Sequence, residues 1–225
     1  MATTKQKTQE EARQVNIEAT VSKTEQFFNE NQKTIWGVLI AILVIGLAIL
    51  AYSKFIYTPK CAEAMAAMYP AEASFQAGEY ELALSGDGNV AGFEQVIEEY
   101  GAKAGKSVYL YAGICELQLG NFESAISYLK KYKGKDSILA ARAIACEGDA
   151  YVGLEDYTSA VKCFRAAAAK ADNVYAANYL LKAGLALEKT GNKAGALEAY
   201  TTIRDQYPES IEAFDIQRYI SAVEE

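Results

Sequence analysis

Residues 101–107, GAKAGKS, come closest of any stretch in the chain to chemistry, because they approach the wording of a phosphate-binding loop. Such a loop needs a glycine, four intervening residues and then Gly-Lys-Ser/Thr, a length that lets successive backbone N–H groups wrap a phosphate. Counting back from Gly105, the first glycine would fall at position 100, which is Tyr100. The loop is one residue short. It also lacks the strand that should precede it, since Phe93, Val96, Ile97 and Tyr100 recur at the spacing of one helix face. Gly86-Asp87-Gly88 offers a single carboxylate and no preceding strand, so it reads as a turn rather than a calcium or dinucleotide fragment. Cys61, Cys115, Cys146 and Cys163 show neither C-x-x-C nor any metal-ligand spacing. Three of them sit among apolar helical neighbours and read as small buried hydrophobes, and sequence alone does not assign any pairing. Histidine is absent, which removes the commonest general base and the commonest zinc ligand. No nucleophile stands with a base, so the expectation is a protein that is not an enzyme, with no cofactor, metal or nucleotide.

Charge narrows the partners. Residues 61–225 hold fifteen Lys/Arg against twenty-four Asp/Glu, net −9, while residues 1–34 are balanced at five of each. A −9 segment repels nucleic acid and anionic lipid, which leaves proteins as the expected partners.

The elements begin with an anchor. From Ile35 to Tyr52 eighteen residues pass without a charge, and Phe55-Ile56-Tyr57 prolong the apolar character past Lys54. A helix of that length matches a bilayer's hydrocarbon core of about 30 Å. Trp36, Tyr52 and Tyr57 suit the interfacial belts, so 35–57 is read as a transmembrane helix and 1–34 as a tail. In the tail Ile17, Val21, Thr24 and Phe28 follow a helical spacing, which leaves an amphipathic helix and a disordered polar segment both open. Lys23 and Lys33 balance Lys54 and Lys60 close to the span; Lys5, Lys7 and Arg13 tilt the count toward a cytoplasmic N-terminus.

Past Pro59 the composition is helical and it repeats. Gly148, Tyr151, Tyr157, Ala160, Phe164 and Ala167 define a register. Gly113, Gly120, Phe122, Ala125 and Leu129 match it thirty-five residues earlier, and Gly184, Gly191, Ala196, Tyr200 and Pro208 match it thirty-six residues later. A period near thirty-four with small and large residues at these offsets resembles tetratricopeptide repeats, each a hairpin of two antiparallel helices. In that reading Gly148 and Ala160 are the small residues that let the paired backbones approach, and the aromatic residues fill in around them. The implied fold is all-α: a single N-terminal transmembrane helix, then a tetratricopeptide-repeat solenoid over 61–225 closed by a C-terminal capping helix. Its expected divisions are an irregular first repeat at 61–104, repeats at 106–136, 141–172 and 177–208, and a terminal helix at 209–224 with Ile216, Tyr219, Ile220 and Val223 on one face.

Beyond the repeats, the wording is similar to that of YfgM-like membrane-anchored tetratricopeptide proteins of bacteria, above all those of the Bacteroidetes. The residues that carry the likeness are Gly86-Asp87-Gly88, Gly92-Phe93, Val96-Ile97, Tyr100, Tyr111-Ala112-Gly113-Ile114, Gly134-Lys135-Asp136 and Gly148-Asp149-Ala150-Tyr151. The resemblance implies a single-pass inner-membrane protein with periplasmic repeats, associated with the Sec translocon and a PpiD-type chaperone or with translocating clients. A scaffold of another envelope assembly, or a cytosolic adaptor if the topology is reversed, is the alternative. In such arrays the first helix of each hairpin lines the binding face. The matching positions are Ser107, Leu110, Ile114 and Leu117, then Arg142, Ala145, Asp149 and Val152, then Asn178, Leu181, Leu185 and Glu188. An apolar groove there would take an amphipathic helix or an extended apolar segment. The competing reading makes several of these leucines inter-repeat core.

Overall fold

The computed structural model describes residues 30–171 and 173–225; the amphipathic spacing of Ile17 to Phe28 lies outside them. The chain divides between Thr58 and Pro59 into two units. Helix α1, Glu30–Gln76, is long and apolar enough to cross a membrane. Its large apolar side chains from Leu39 to Leu50 are all at least half exposed, so no described residue of the first unit covers them. The helix continues past 57, where the apolar run ends. At Ser53–Tyr57 it widens into one π-helical turn, in which Thr58 donates both its backbone N–H and its hydroxyl to the Ser53 carbonyl. Pro59 supplies the reason: it has no N–H for the carbonyl four residues back, and its ring presses on that carbonyl.

In the second unit the rest of α1 buries Ala64, Met68 and Ala71 along one face. There follow α2 (Tyr80–Ser85), α3 (Phe93–Tyr100), α4 (Ser107–Gln118), α5 (Phe122–Lys131), α6 (Ser137–Gly153), α7 (Tyr157–Ala171), α8 (Val174–Lys189), α9 (Lys193–Gln206) and α10 (Ile216–Glu224). From α4 on, each helix packs against the next in the order of the chain. That pattern makes an array of antiparallel hairpins, α4/α5, α6/α7 and α8/α9, and no strand appears among the described residues.

A single contact recurs in all three hairpins. A side chain added to Gly113 would meet Leu129, one on Gly148 would meet the Phe164 ring, and one on Gly184 would meet the Tyr200 ring, each at under 3 Å and each sixteen residues along. The glycine of the first helix is therefore the socket for a large apolar or aromatic residue of the second. This refines the expected pairing of Gly148 with Ala160: Ala160 is fully buried, but Phe164 is what occupies the space above Gly148.

The turn inside each hairpin recurs too. The N–H groups of Gly120 and Asn121 bond back to Leu117 and Glu116, those of Glu155 and Asp156 to Val152 and Tyr151, and those of Gly191 and Asn192 to Glu188 and Leu187. The first residue of each pair is left-handed, at φ 82, 59 and 75 respectively. The second starts the next helix, where the Asp156 and Asn192 side chains accept from the N–H groups of Ser159 and Gly195.

The irregular first repeat differs because its second helix is broken. Asp87 accepts the Asn89 and Val90 N–H groups, both at 2.9 Å, and closes a small loop between α2 and α3. A Cβ on Gly86 or Gly92 would lie 2.3 Å from a backbone oxygen, so this loop admits only glycine at those places. Around it, Phe75, Tyr80, Phe93 and Tyr111 pack ring to ring at 5.1–6.2 Å. GAKAGKS forms a short 3₁₀ turn and a link to α4, and its Lys106 ammonium donates at 2.6 Å to the Lys133 carbonyl. That bond ties the residue just before α4 to the link that follows α5.

At the C-terminus the helix starts later than 209. Ser210 caps a 3₁₀ turn at Ile211–Phe214, and α10 follows with Ile216, Ile220 and Val223 buried. The Tyr219 ring stands 5.4 Å from that of Tyr200.

Candidate binding face on the first helices

Three caps set where the first helices and the final turn begin. Asp136 accepts from Leu139 N–H, Asn173 from Tyr175 N–H and Ser210 from Ala213 N–H, at intervals of thirty-seven residues. Each satisfies backbone donors that a helix start would otherwise leave open.

Side-chain bonds then tie equivalent helices of successive repeats. Tyr128 donates to Glu94 and Asn178 to Glu212, each thirty-four residues away; Arg165 donates to Glu198 and Lys182 to Asp149, each thirty-three residues away. The repeat period is thus expressed as hydrogen bonds between neighbours.

This geometry sorts the residues expected on the binding face. Leu110 and Ile114 are buried in a core shared with Ala143, Cys146 and Ala150 of α6, so they hold α4 to α6 and do not line a groove. Ala145 is buried as well, while Ser107 and Leu117 are half-buried. Asp149 is engaged by Lys182, Asn178 by Glu212, and Leu181 packs half-buried against the α7–α9 core. Glu188 accepts a short bond from the Tyr200 hydroxyl but is itself exposed. Arg142, Val152 and Leu185 are exposed with it. Four of the expected residues are therefore open to a partner.

Sequence reasoning missed a second set. Leu139, Tyr175 and Ile211 stand thirty-six residues apart, the same interval that separates Gly148 from Gly184, and all three are exposed. Repeat bounds of 141–172 and 177–208 leave Leu139 and Tyr175 in links, and a terminal helix at 209–224 separates Ile211 from their register. The signal that could have found them is the interval itself.

Burial pushes Cys146 and Cys163 up to about 11 and Cys115 to about 12, and all three are free. Among the described residues no group of three cysteine, aspartate or glutamate side chains could hold a metal ion.

An all-α array of helical hairpins that meet glycine to large residue defines a class, the helical-repeat proteins. Within it, residues 147–211 match the family model described as Tetratricopeptide repeat. No curated protein matches the chain. Arrays of this kind act as protein-interaction modules.

Proposed function

We propose that the chain is a membrane-tethered protein-interaction module of a bacterial inner membrane. In this reading the tail 1–34 is cytoplasmic, Ile35–Tyr57 crosses the bilayer, and the repeats of 61–225 lie in the periplasm beside the Sec translocon. There they hold a PpiD-type chaperone or a translocating client, with Arg142, Val152, Leu185 and Glu188 as contact residues. The observation that carries the reading is the tetratricopeptide match at 147–211 in a chain that also has a helix apolar and long enough to anchor it. The likeness to YfgM-type proteins supports the translocon assignment. Tethering serves such a module through effective concentration: confinement beside the exit site makes even a contact of about micromolar affinity productive.

Two experiments test this. With Cys61 kept as the sole cysteine, a membrane-impermeant maleimide that passes the outer membrane is expected to label intact cells. Labelling only after permeabilisation places the repeats in the cytoplasm and overturns the assignment. Co-purification from membranes is expected to bring down translocon subunits or a membrane-bound chaperone; recovery of a different envelope complex makes the chain a scaffold of that machine.

A further inference from the structure

Two of the most exposed large apolar side chains in the second unit are neighbours on one turn: Ile211 at 84% and Phe214 at 87%. They are not the raw end of the solenoid, because α10 buries Ile216, Ile220 and Val223 and so closes the core behind them. Nor are they isolated. Phe214 occupies the register position of Asn178 and Arg142, and Ile211 that of Tyr175 and Leu139, at thirty-six-residue intervals. Residues three apart share a side of a helix or a 3₁₀ turn, so both rows look out from the same side of the first-helix face. Asn178 donates to Glu212 at 3.0 Å, which fixes this turn against the start of α8, one helical turn from Tyr175. Leu139 and Tyr175 are 42% and 55% exposed, so the row is open along its length.

The charges beside this row are one-sided. Among the described residues, Asp136, Glu209, Glu212 and Asp215 lie within three residues of it in sequence, against Arg142, with Lys135 and Arg218 one residue further out. Asp136 accepts a hydrogen bond from Leu139 N–H, and Glu212 accepts one from the Asn178 side chain. Four carboxylates around exposed apolar side chains disfavour an anionic lipid surface. They equally disfavour an isologous contact with a second copy, which would bring the same carboxylates together.

We infer that Leu139, Tyr175, Ile211 and Phe214 form a docking ladder for a segment of a protein partner in which apolar side chains are interspersed with lysine or arginine. The inference rests on the interaction-module reading and adds where on the array the partner sits and what chemistry it carries. The apolar side chains cover the ladder, and the partner's cations meet the carboxylates along its edges.

The test uses the full chain in nanodiscs of zwitterionic lipid, with empty nanodiscs as the blank. The probe is a fluorescent twelve-residue peptide of alternating leucine and lysine, and its control has glutamate in place of lysine. Binding of the lysine peptide alone is expected, weakened by added salt. It should be weakened by about tenfold or more in the double variant Ile211→Ser/Phe214→Ser, whose melting temperature should match the parent because both side chains are solvent-exposed. Equal binding of the two peptides overturns the charge assignment, and binding of neither overturns the ladder. An unchanged affinity in the double variant with a loss in Val152→Ser/Leu185→Ser also overturns the ladder, yet leaves the interaction module standing. Sedimentation that shows a dimer of the parent abolished by the double variant assigns the surface to a second copy and overturns the inference. The interaction-module reading fails separately, on empty co-purification.

Discussion

The ammonium of Lys182 lies 2.8 Å from both carboxylate oxygens of Asp149, thirty-three residues earlier in the chain. It also stands 5.7 Å from the Phe164 ring, so it joins the first helix of one hairpin to both helices of the hairpin before it. Each partner is about a third exposed, so solvent screens the pair. A double-mutant cycle of Asp149→Asn and Lys182→Met is expected to give a coupling of about 0.5–1 kcal/mol, smaller at high salt. Thermal unfolding of the four proteins measures it; a coupling indistinguishable from zero at low salt would mean that apolar packing alone sets the junction.

Gly148 predicts the cost of blocking a socket. A methyl group there would stand 2.6 Å from the Phe164 ring, so either the ring or the helix pair must move. Gly148→Ala is expected to destabilise by about 1–3 kcal/mol, as is Ala160→Leu at its fully buried neighbour. Gly148→Ala combined with Phe164→Leu should recover part of the loss. An unchanged melting temperature for Gly148→Ala would sink the socket account.

Glu155 predicts a gain. Its φ of 59 places it where the other hairpins have Gly120 and Gly191. A side chain in the left-handed region costs about 1–2 kcal/mol, offset in part by the extra freedom glycine loses on folding. Glu155→Gly is therefore expected to stabilise the array by about 0.5–1 kcal/mol, read as a higher denaturant midpoint with an unchanged slope.

The buried thiols predict an alkaline limit. Burial raises Cys115 from 9.0 to about 12 and Cys146 and Cys163 from 9.0 to about 11. Between these values the folded chain holds more protons than the unfolded one, so stability falls as pH rises. The contribution is complete below about pH 9 and is lost progressively through about pH 11 to 12. Cys115→Ala should lower stability at neutral pH through the lost core contact and flatten the decline above pH 9. The same chemistry predicts slow maleimide reaction of these three thiols in the native protein at pH 7, with rapid reaction after denaturant; equal rates in both states would refute it.

Much of the architecture was legible because the repeat is built from contacts that glycine and large residues announce. Gly113, Gly148 and Gly184 stand out in the sequence, and the structure gives each a large partner sixteen residues on. The fate of Leu110 and Ile114 was not legible. A leucine that lines a groove and one that holds two first helices together have the same helical spacing, and only the approach of α6 decides between them. Leu139, Tyr175 and Ile211 were hidden for another reason. They lie ahead of the repeat register, in first turns that exist because Asp136, Asn173 and Ser210 cap them, and caps are local features that a search for a thirty-four-residue period passes over. The π-turn at Ser53–Tyr57 was equally opaque, since apolar composition reports how long a helix can be and not how its hydrogen bonds shift ahead of a proline.

The cross-repeat hydrogen bonds of Glu94, Asp149, Glu198 and Glu212 all reach one neighbour and go no further. A polymer tied only by such nearest-neighbour links carries no record of its own total length. Copying one hairpin within the chain would supply a unit whose two edges already fit what lies before and after it, so the array can lengthen or shorten by whole hairpins without any new interface having to arise.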